Sequence, residues 1–178
     1  MKPLKTYSHI LAIDPSGNFE EGKGTTGLCL FDAEDSKIIA VKNINASDFI
    51  SKEEYWQEHI NIINRISMNP KYPRVIIVIE DFMLDPKRAL QQSHSRMETP
   101  KLIGIIQLHC STHNIPYAMQ RPTDVKTRWA DPILAYKKYI IRYRNSYVLP
   151  DSNKSISRHC KDAIRHAVHY STFKNKEK

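Results

Sequence analysis

Two acidic residues close apolar runs in this chain. Asp14 ends His9-Ile10-Leu11-Ala12-Ile13, and Glu80 ends Val75-Ile76-Ile77-Val78-Ile79. A carboxylate there adds nothing to packing but lies at the rim of whatever sheet the runs form. If the two strands are neighbours, the carboxylates converge, and converging carboxylates repel unless a cation sits between them. Further along, His159, Asp162 and His166 recur at i, i+3 and i+7, which places them on one helix face. Oxygen donors suit Mg²⁺ or Mn²⁺. The set Asp14, Glu80, His159 and Asp162 could therefore hold two divalent ions about 3.5–4 Å apart, an arrangement that activates a water and stabilises the leaving oxygen of a phosphodiester.

Each residue also has a plainer reading. Asp14-Pro15-Ser16-Gly17 is good turn chemistry, Glu80 could end a strand into solvent and leave Asp81 as the residue that matters, and Asp162 could be a solvated helix residue. Taken together, in this order and on these elements, they favour a metal site. His109 and His113 share a helix face beside Cys110, but no cysteine pair or acid completes a zinc set.

The elements that would position these groups can be read along the chain. Strands are expected at His9–Ile13, Thr25–Phe31 and Lys37–Ile44, with 32–36 as a hairpin turn, so the first three strands form an antiparallel meander. A helix follows, capped by Ser47 or Asp48, with Phe49, Trp56, Ile60, Ile63 and Ile66 at helical spacing. Arg74–Ile79, apolar on both faces, is expected at the centre of a sheet with helices above and below. The polar stretch 83–98 is a loop or a frayed helix start. Thr99-Pro100 opens a helix to about His113, Ile115–Met119 is a short strand, and Arg121–Trp129 a short helical turn. Pro132–Arg144 is expected as a basic, Tyr-rich helix. The stretch from Tyr136 to Tyr147 could stack on bases, grip phosphates, or form a core helix with a basic outer face. Ser155 or Ser157 caps a last helix through Tyr170. The order predicts an α/β fold: a mixed five-stranded sheet with helices on both faces.

Length and composition bound the function. With 178 residues the chain fits one domain, 1–173, followed by a polar tail, 174–178. Its 27 Lys and Arg against 19 Asp and Glu leave a net charge of +8, which favours a polyanionic partner, nucleic acid before membrane. No apolar run approaches the roughly 20 residues of a spanning helix, and Asp14 interrupts the first apolar stretch, so no secretory segment is expected. Three widely spaced cysteines imply no disulfide framework, which points to a reducing compartment and a cytoplasmic site of action.

The residues carry a resemblance beyond this. Ala12-Ile13-Asp14-Pro15 with Thr26-Gly27, Val78-Ile79-Glu80-Asp81-Phe82-Met83, Lys101-Leu102-x-Gly104, Arg121-Pro122-x-x-Val125-Lys126 and His159-x-x-Asp162-Ala163 resemble the motifs of the ribonuclease H-like nucleases. Within that superfamily they are most similar to the RuvC family of Holliday junction resolvases, including its phage relatives. The resemblance runs from about Ile10 to Tyr170. It implies a ribonuclease H-like fold and a homodimeric, Mg²⁺-dependent endonuclease that nicks four-way DNA junctions symmetrically, in a bacterium or a virus-infected cell. Two Mg²⁺ ions, replaceable by Mn²⁺, would be held by Asp14, Glu80, His159 and Asp162. Lys126 would lie near the scissile phosphate, and Phe82 or Met83 would be the wedge at the junction. Lys87, Arg88, Arg96, Lys101, Arg121 and Lys126 would hold DNA.

The segment from Gly17 to Gly24 departs from the family by its length and by Glu20 and Glu21. An alternative on the same fold is a nuclease acting on RNA–DNA hybrids or on other branched or nicked DNA. Two rivals lie further off. An actin- or sugar-kinase-type ATPase needs two such halves, and this length supplies one. A binding module without catalysis would show no metal dependence.

Overall fold

The computed structural model describes residues 6–83, 97–152 and 154–176. Five strands form one mixed sheet: β1 (His9–Asp14), β2 (Thr25–Asp32), β3 (Lys37–Asn45), β4 (Val75–Glu80) and β5 (Tyr117–Gln120), in the order β3-β2-β1-β4-β5. The first three form the expected antiparallel meander, and β4 and β5 run parallel to β1. The apolar strand β4 is internal, but β1 is the central one. The turn between β2 and β3 is closed by the Asp32 carboxylate, whose Oδ1 accepts from the backbone N–H of Glu34 and Asp35, both at 2.9 Å. Asx geometry of this kind makes a tight turn without glycine.

Alternation along β1 assigns its two faces to two cores. Leu11 and Ile13 pack with Leu28, Ile77 and Ile79 under helices α1 (Lys52–Ser67) and α2 (Glu98–Thr112). Ile10 and Ala12 pack with Phe31, Ile76 and Val78 against α3 (Pro122–Lys126), α4 (Asp131–Tyr136) and α5 (Arg158–Phe173). Helices thus cover both faces, as a sheet with buried parallel strands requires. None of the described helices is long and apolar enough to cross a membrane.

Three local expectations are corrected. Helix α1 is capped by Ser51, whose Oγ accepts from Glu54 N at 3.1 Å, while 46–48 form a separate 3-10 turn. Glu54 reaches back to Ile50 N at 3.3 Å, so Ser51 and Glu54 satisfy the helix start much as a capping box does. Second, the last helix, whose apolar residues are only loosely grouped along the sequence and predict no clean amphipath, is strongly two-sided: Cys160, Ala163, Ile164, Ala167 and Val168 of α5 are buried in the core.

The third correction concerns the stretch expected as a helix over Pro132–Arg144, which is helical only to Tyr136. The N–H groups of Lys138 and Tyr139 turn back to the carbonyls of Ala135 and Leu134, and Lys138 takes a left-handed conformation, φ 62°. This is a Schellman stop carried by lysine instead of glycine, so the usual signal is missing from the sequence. It frees Ile140 to enter the core beside Leu134. A hairpin of β6 (Ile141–Tyr143) and β7 (Ser146–Val148) follows. At the far end of the chain Asn175 is buried, and its side chain exchanges two hydrogen bonds with the backbone of Tyr7, at 2.8 and 2.7 Å.

Candidate metal centre

Parallel pairing of β1 with β4 matches Ile13 to Ile79, so Asp14 and Glu80 leave the sheet side by side. The third wall is α5. Asp14 pairs directly with Gly27 of β2, and a Cβ on Gly27 would lie 2.1 Å from the backbone carbonyl carbon of His159. No other residue lets the helix backbone approach the sheet that closely. Ser157 starts the helix, its Oγ accepting from Cys160 N at 3.0 Å and donating to Asn43 Oδ1 at 2.7 Å. Asn43 is the register partner of Gly27, so the helix is anchored level with Asp14.

Oxygens of Asp14, Glu80 and Asp162 come within 4.8 Å of one another. Asp14 and Asp162 are buried, and Glu80 is nearly so. Cations of the chain surround them. Lys126 Nζ lies 3.2 Å from both Glu80 Oε1 and Asp162 Oδ2. Arg165 pairs with Asp162 and with Asp131, and its Nε donates to the Trp129 carbonyl at 2.9 Å. His159 Nδ1 lies 2.8 Å from Asp14 Oδ2.

The electrostatics follow from this arrangement. Burial pushes the Asp14 carboxyl above its ordinary range, and the charges of Glu80 and Asp162 add to that, against the His159 hydrogen bond. Burial works the same way on Glu80, but His166 and Lys126 outweigh it and hold Glu80 below the usual range. The hydrogen bond to Asp14, together with the nearby carboxylates, raises His159 despite its burial. Lys126 is partly desolvated, which favours its neutral form, yet Glu80 and Asp162 raise it.

Three hard oxygen donors, mutually repelling and partly desolvated, fit a divalent cation of the Mg²⁺ type. Of the four residues expected as ligands, Asp14, Glu80 and Asp162 converge. His159 stands at their edge, paired with Asp14 and not part of the convergent trio. Lys126 is in the centre. Arg121 and Lys101 are exposed, and Met83 is 43% exposed, whereas Phe82 packs against the core beneath α1 and α2. Lys87, Arg88 and Arg96 lie outside the described residues. His109 bonds Asn64 at 2.7 Å, and Cys110 is buried in the core, so the two do not assemble a metal site.

His166 shares the helix face of Asp162, but nothing in the sequence gives it a partner. It is fully buried, with Nε2 2.8 Å from Glu80 Oε2 and Nδ1 2.8 Å from Gln120 Oε1. The signal was its i+4 spacing from Asp162. Arg165 and Asp131 were missed as well, because a surface pair and a buried brace look the same in sequence.

No protein-family model matches the chain, and no curated protein sequence does. Solved structures do. Thermus thermophilus RuvC in complex with a Holliday junction substrate superposes with a TM-score of 0.65 at 12% identity, over 96% of this chain and 99% of that one. A second Thermus thermophilus RuvC structure gives 0.61 at 13% identity, over 95% and 98%. By its fold, a mixed five-stranded α/β sheet with helices on both faces, this chain is therefore RuvC-like, of the ribonuclease H-like kind.

Proposed function

We propose that the protein is a metal-dependent, structure-selective DNA endonuclease that resolves four-way junctions by paired, symmetric phosphodiester hydrolysis. The observation that carries this reading is the convergence of Asp14, Glu80 and Asp162 within 4.8 Å, beside Lys126, at one edge of a RuvC-like sheet. Asp14, Glu80 and Asp162 would hold Mg²⁺, as two ions, with Mn²⁺ able to substitute and His159 at the margin. A divalent ion there supplies an activated water and stabilises the leaving oxygen. The residues of the chain do the rest. Lys126 neutralises charge where the scissile phosphate would lie. His166, braced by Gln120, fixes the orientation of Glu80. Arg165 fixes Asp162 against α4. Met83, exposed just beyond Glu80, is the better placed of the two wedge candidates.

Paired cuts need two sites, and α2 offers a surface for a second copy. Its outward side carries Gly104, Ile105 and Leu108, the last 66% exposed, with Tyr117 nearby in sequence on β5. Gly104 costs the helix about 1 kcal/mol relative to alanine, and a Cβ there would touch nothing among the described residues. A glycine with no packing role among the described residues fits the close approach of a partner helix. The three cysteines are buried and free, in keeping with a reducing cytoplasm.

The test is a cleavage assay with Mg²⁺ on a four-way junction, a linear duplex and an RNA–DNA hybrid, with wild type beside Asp162→Asn. Paired nicks on the junction alone, lost in the variant, are expected. Cutting of the hybrid instead would move the protein to the alternative substrate, and undiminished cutting by Asp162→Asn would overturn the metal site.

A further inference from the structure

The charge of this chain is unevenly spread. Between Pro132 and Arg158 stand six basic residues, Lys137, Lys138, Arg142, Arg144, Lys154 and Arg158, and one acid, Asp151. All six basic side chains are exposed. This segment alone carries a net +5 of the chain's +8. Around the metal centre the cations are spent on carboxylates: Lys126 on Glu80 and Asp162, Lys161 on Asp131, Arg165 on both aspartates. Lys137, Lys138, Arg142 and Arg144 pair with no carboxylate among the described residues. Uncompensated charge concentrated on one segment lacks an internal role, and self-repulsion disfavours it.

The element is anchored to the fold. Its root is the buried Ile140, and β6 and β7 pair from Ile141↔Val148 to Tyr143↔Ser146. Arg144 sits at the tip in a left-handed conformation, φ 54°, with its guanidinium 5.4 Å from the Tyr143 ring. That contact orders a side chain that would otherwise lose much rotamer freedom on binding. After β7 the chain loops back alongside it and into the helix of the metal centre: Ser155 bridges to Val148, Ile156 N donates to the Tyr147 carbonyl at 2.8 Å, and Ser157 then caps the helix that carries His159 and Asp162. The Lys161 ammonium lies 5.0 Å from the Tyr147 ring, a second tie between hairpin and helix.

We propose that the β6–β7 hairpin is a duplex-gripping arm, whose Arg142 and Arg144, with Lys137 and Lys138 at its base, hold the phosphate backbone of the DNA flanking the cut. The proposal rests on the nuclease reading for its ligand and adds a surface to it. Two uncompensated cations on an exposed ribbon, with two more at its base, suit a duplex backbone, which presents a regular line of phosphates.

The experiment measures binding of a fluorescent four-way junction, and of one of its arms as a linear duplex, in EDTA across a salt series. The wild type is compared with Arg142→Ala/Arg144→Ala, Arg142→Lys/Arg144→Lys and Lys71→Ala. Lys71 is an exposed lysine in the turn before β4, at the opposite end of that strand from Glu80. Losing two phosphate contacts lowers the slope of log K against log salt by about 2. The double alanine variant is expected to show that fall on both DNAs. The double lysine variant and Lys71→Ala are expected to keep the wild-type slope, and all four melting temperatures should agree. An unchanged slope in the double alanine variant, with wild type binding and cutting, overturns the arm and leaves the nuclease reading standing. A lowered slope in a protein that cuts nothing supports the arm and sinks the nuclease reading. Absence of DNA binding by the wild type overturns both.

Discussion

At the scale of single residues, the site depends on groups that hold other groups. His166 touches Glu80 and Gln120 from a fully buried position. Supporting residues of this kind change metal affinity or activity by roughly 10–100-fold. His166→Ala is expected to weaken Mn²⁺ binding, read by titration of the paramagnetic ion, within that range. Affinity equal to wild type would show that Glu80 needs no brace. Replacing a ligand is harsher: Glu80→Gln is expected to cost about 10³-fold or more in single-turnover cleavage, because several kcal/mol of charge stabilisation are lost.

Another buried histidine reports on stability. His59 lies 2.8 Å from Thr26 Oγ1 and 2.9 Å from the Tyr55 carbonyl, and burial pulls it from the ordinary 6.5 down to about 4. Between those values the unfolded chain takes up a proton that the folded chain refuses. Its contribution is therefore whole above pH 6.5 and is lost as pH falls toward about 4. At pH 5.5 the loss is about 1.4 kcal/mol. Urea unfolding at pH 7.5 and 5.5 should show His59→Gln losing that much less than wild type between the two.

At the scale of elements, the geometry of the acidic site rests on two close contacts of backbone. Gly27 admits α5 to the sheet. Gly17 admits the loop after Asp14 to the start of α2, where a Cβ would stand 2.1 Å from the Glu98 carbonyl oxygen. That loop is held on all sides: Tyr55 donates to the Ser16 carbonyl at 2.6 Å, Trp56 to the Gly17 carbonyl at 3.0 Å, and Phe19 N to Glu98 at 3.0 Å. The extra length between Gly17 and Gly24 is thus ordered structure against α1 and α2. Gly27→Ala is expected to push α5 outward, costing about 1–3 kcal/mol, and to reduce cleavage far more than it lowers the melting temperature. A variant with full activity would show that α5 can shift without moving Asp162.

At the scale of the whole molecule, the reading requires two sites acting together. Sedimentation velocity is expected to show a dimer at micromolar concentration. Ile105→Glu/Leu108→Glu on the outward side of α2 is expected to give a monomer that leaves single nicks in a junction. A double variant that stays dimeric would place the interface elsewhere.

Much of this was legible in the sequence because it depends on local rules. Short apolar, β-branched runs bounded by turn residues disclose the strands, and an acid at the end of such a run discloses Asp14 and Glu80. Helical spacing discloses the face of α5. What depends on contacts between distant segments was not legible. The Pro132–Arg144 stretch has helical composition but stops at Tyr136, because burying Ile140 requires the chain to turn and lysine replaces the glycine that usually marks such a stop. Only the fold set His159 beside Asp14 and left it outside the convergent trio, and only the fold gave His166 and Arg165 their partners. The sequence by itself determined which carboxylates could meet, since each lies at the end of its own element. The tertiary structure decided which ones do, because that depends on strand order, register and the approach of α5 over Gly27.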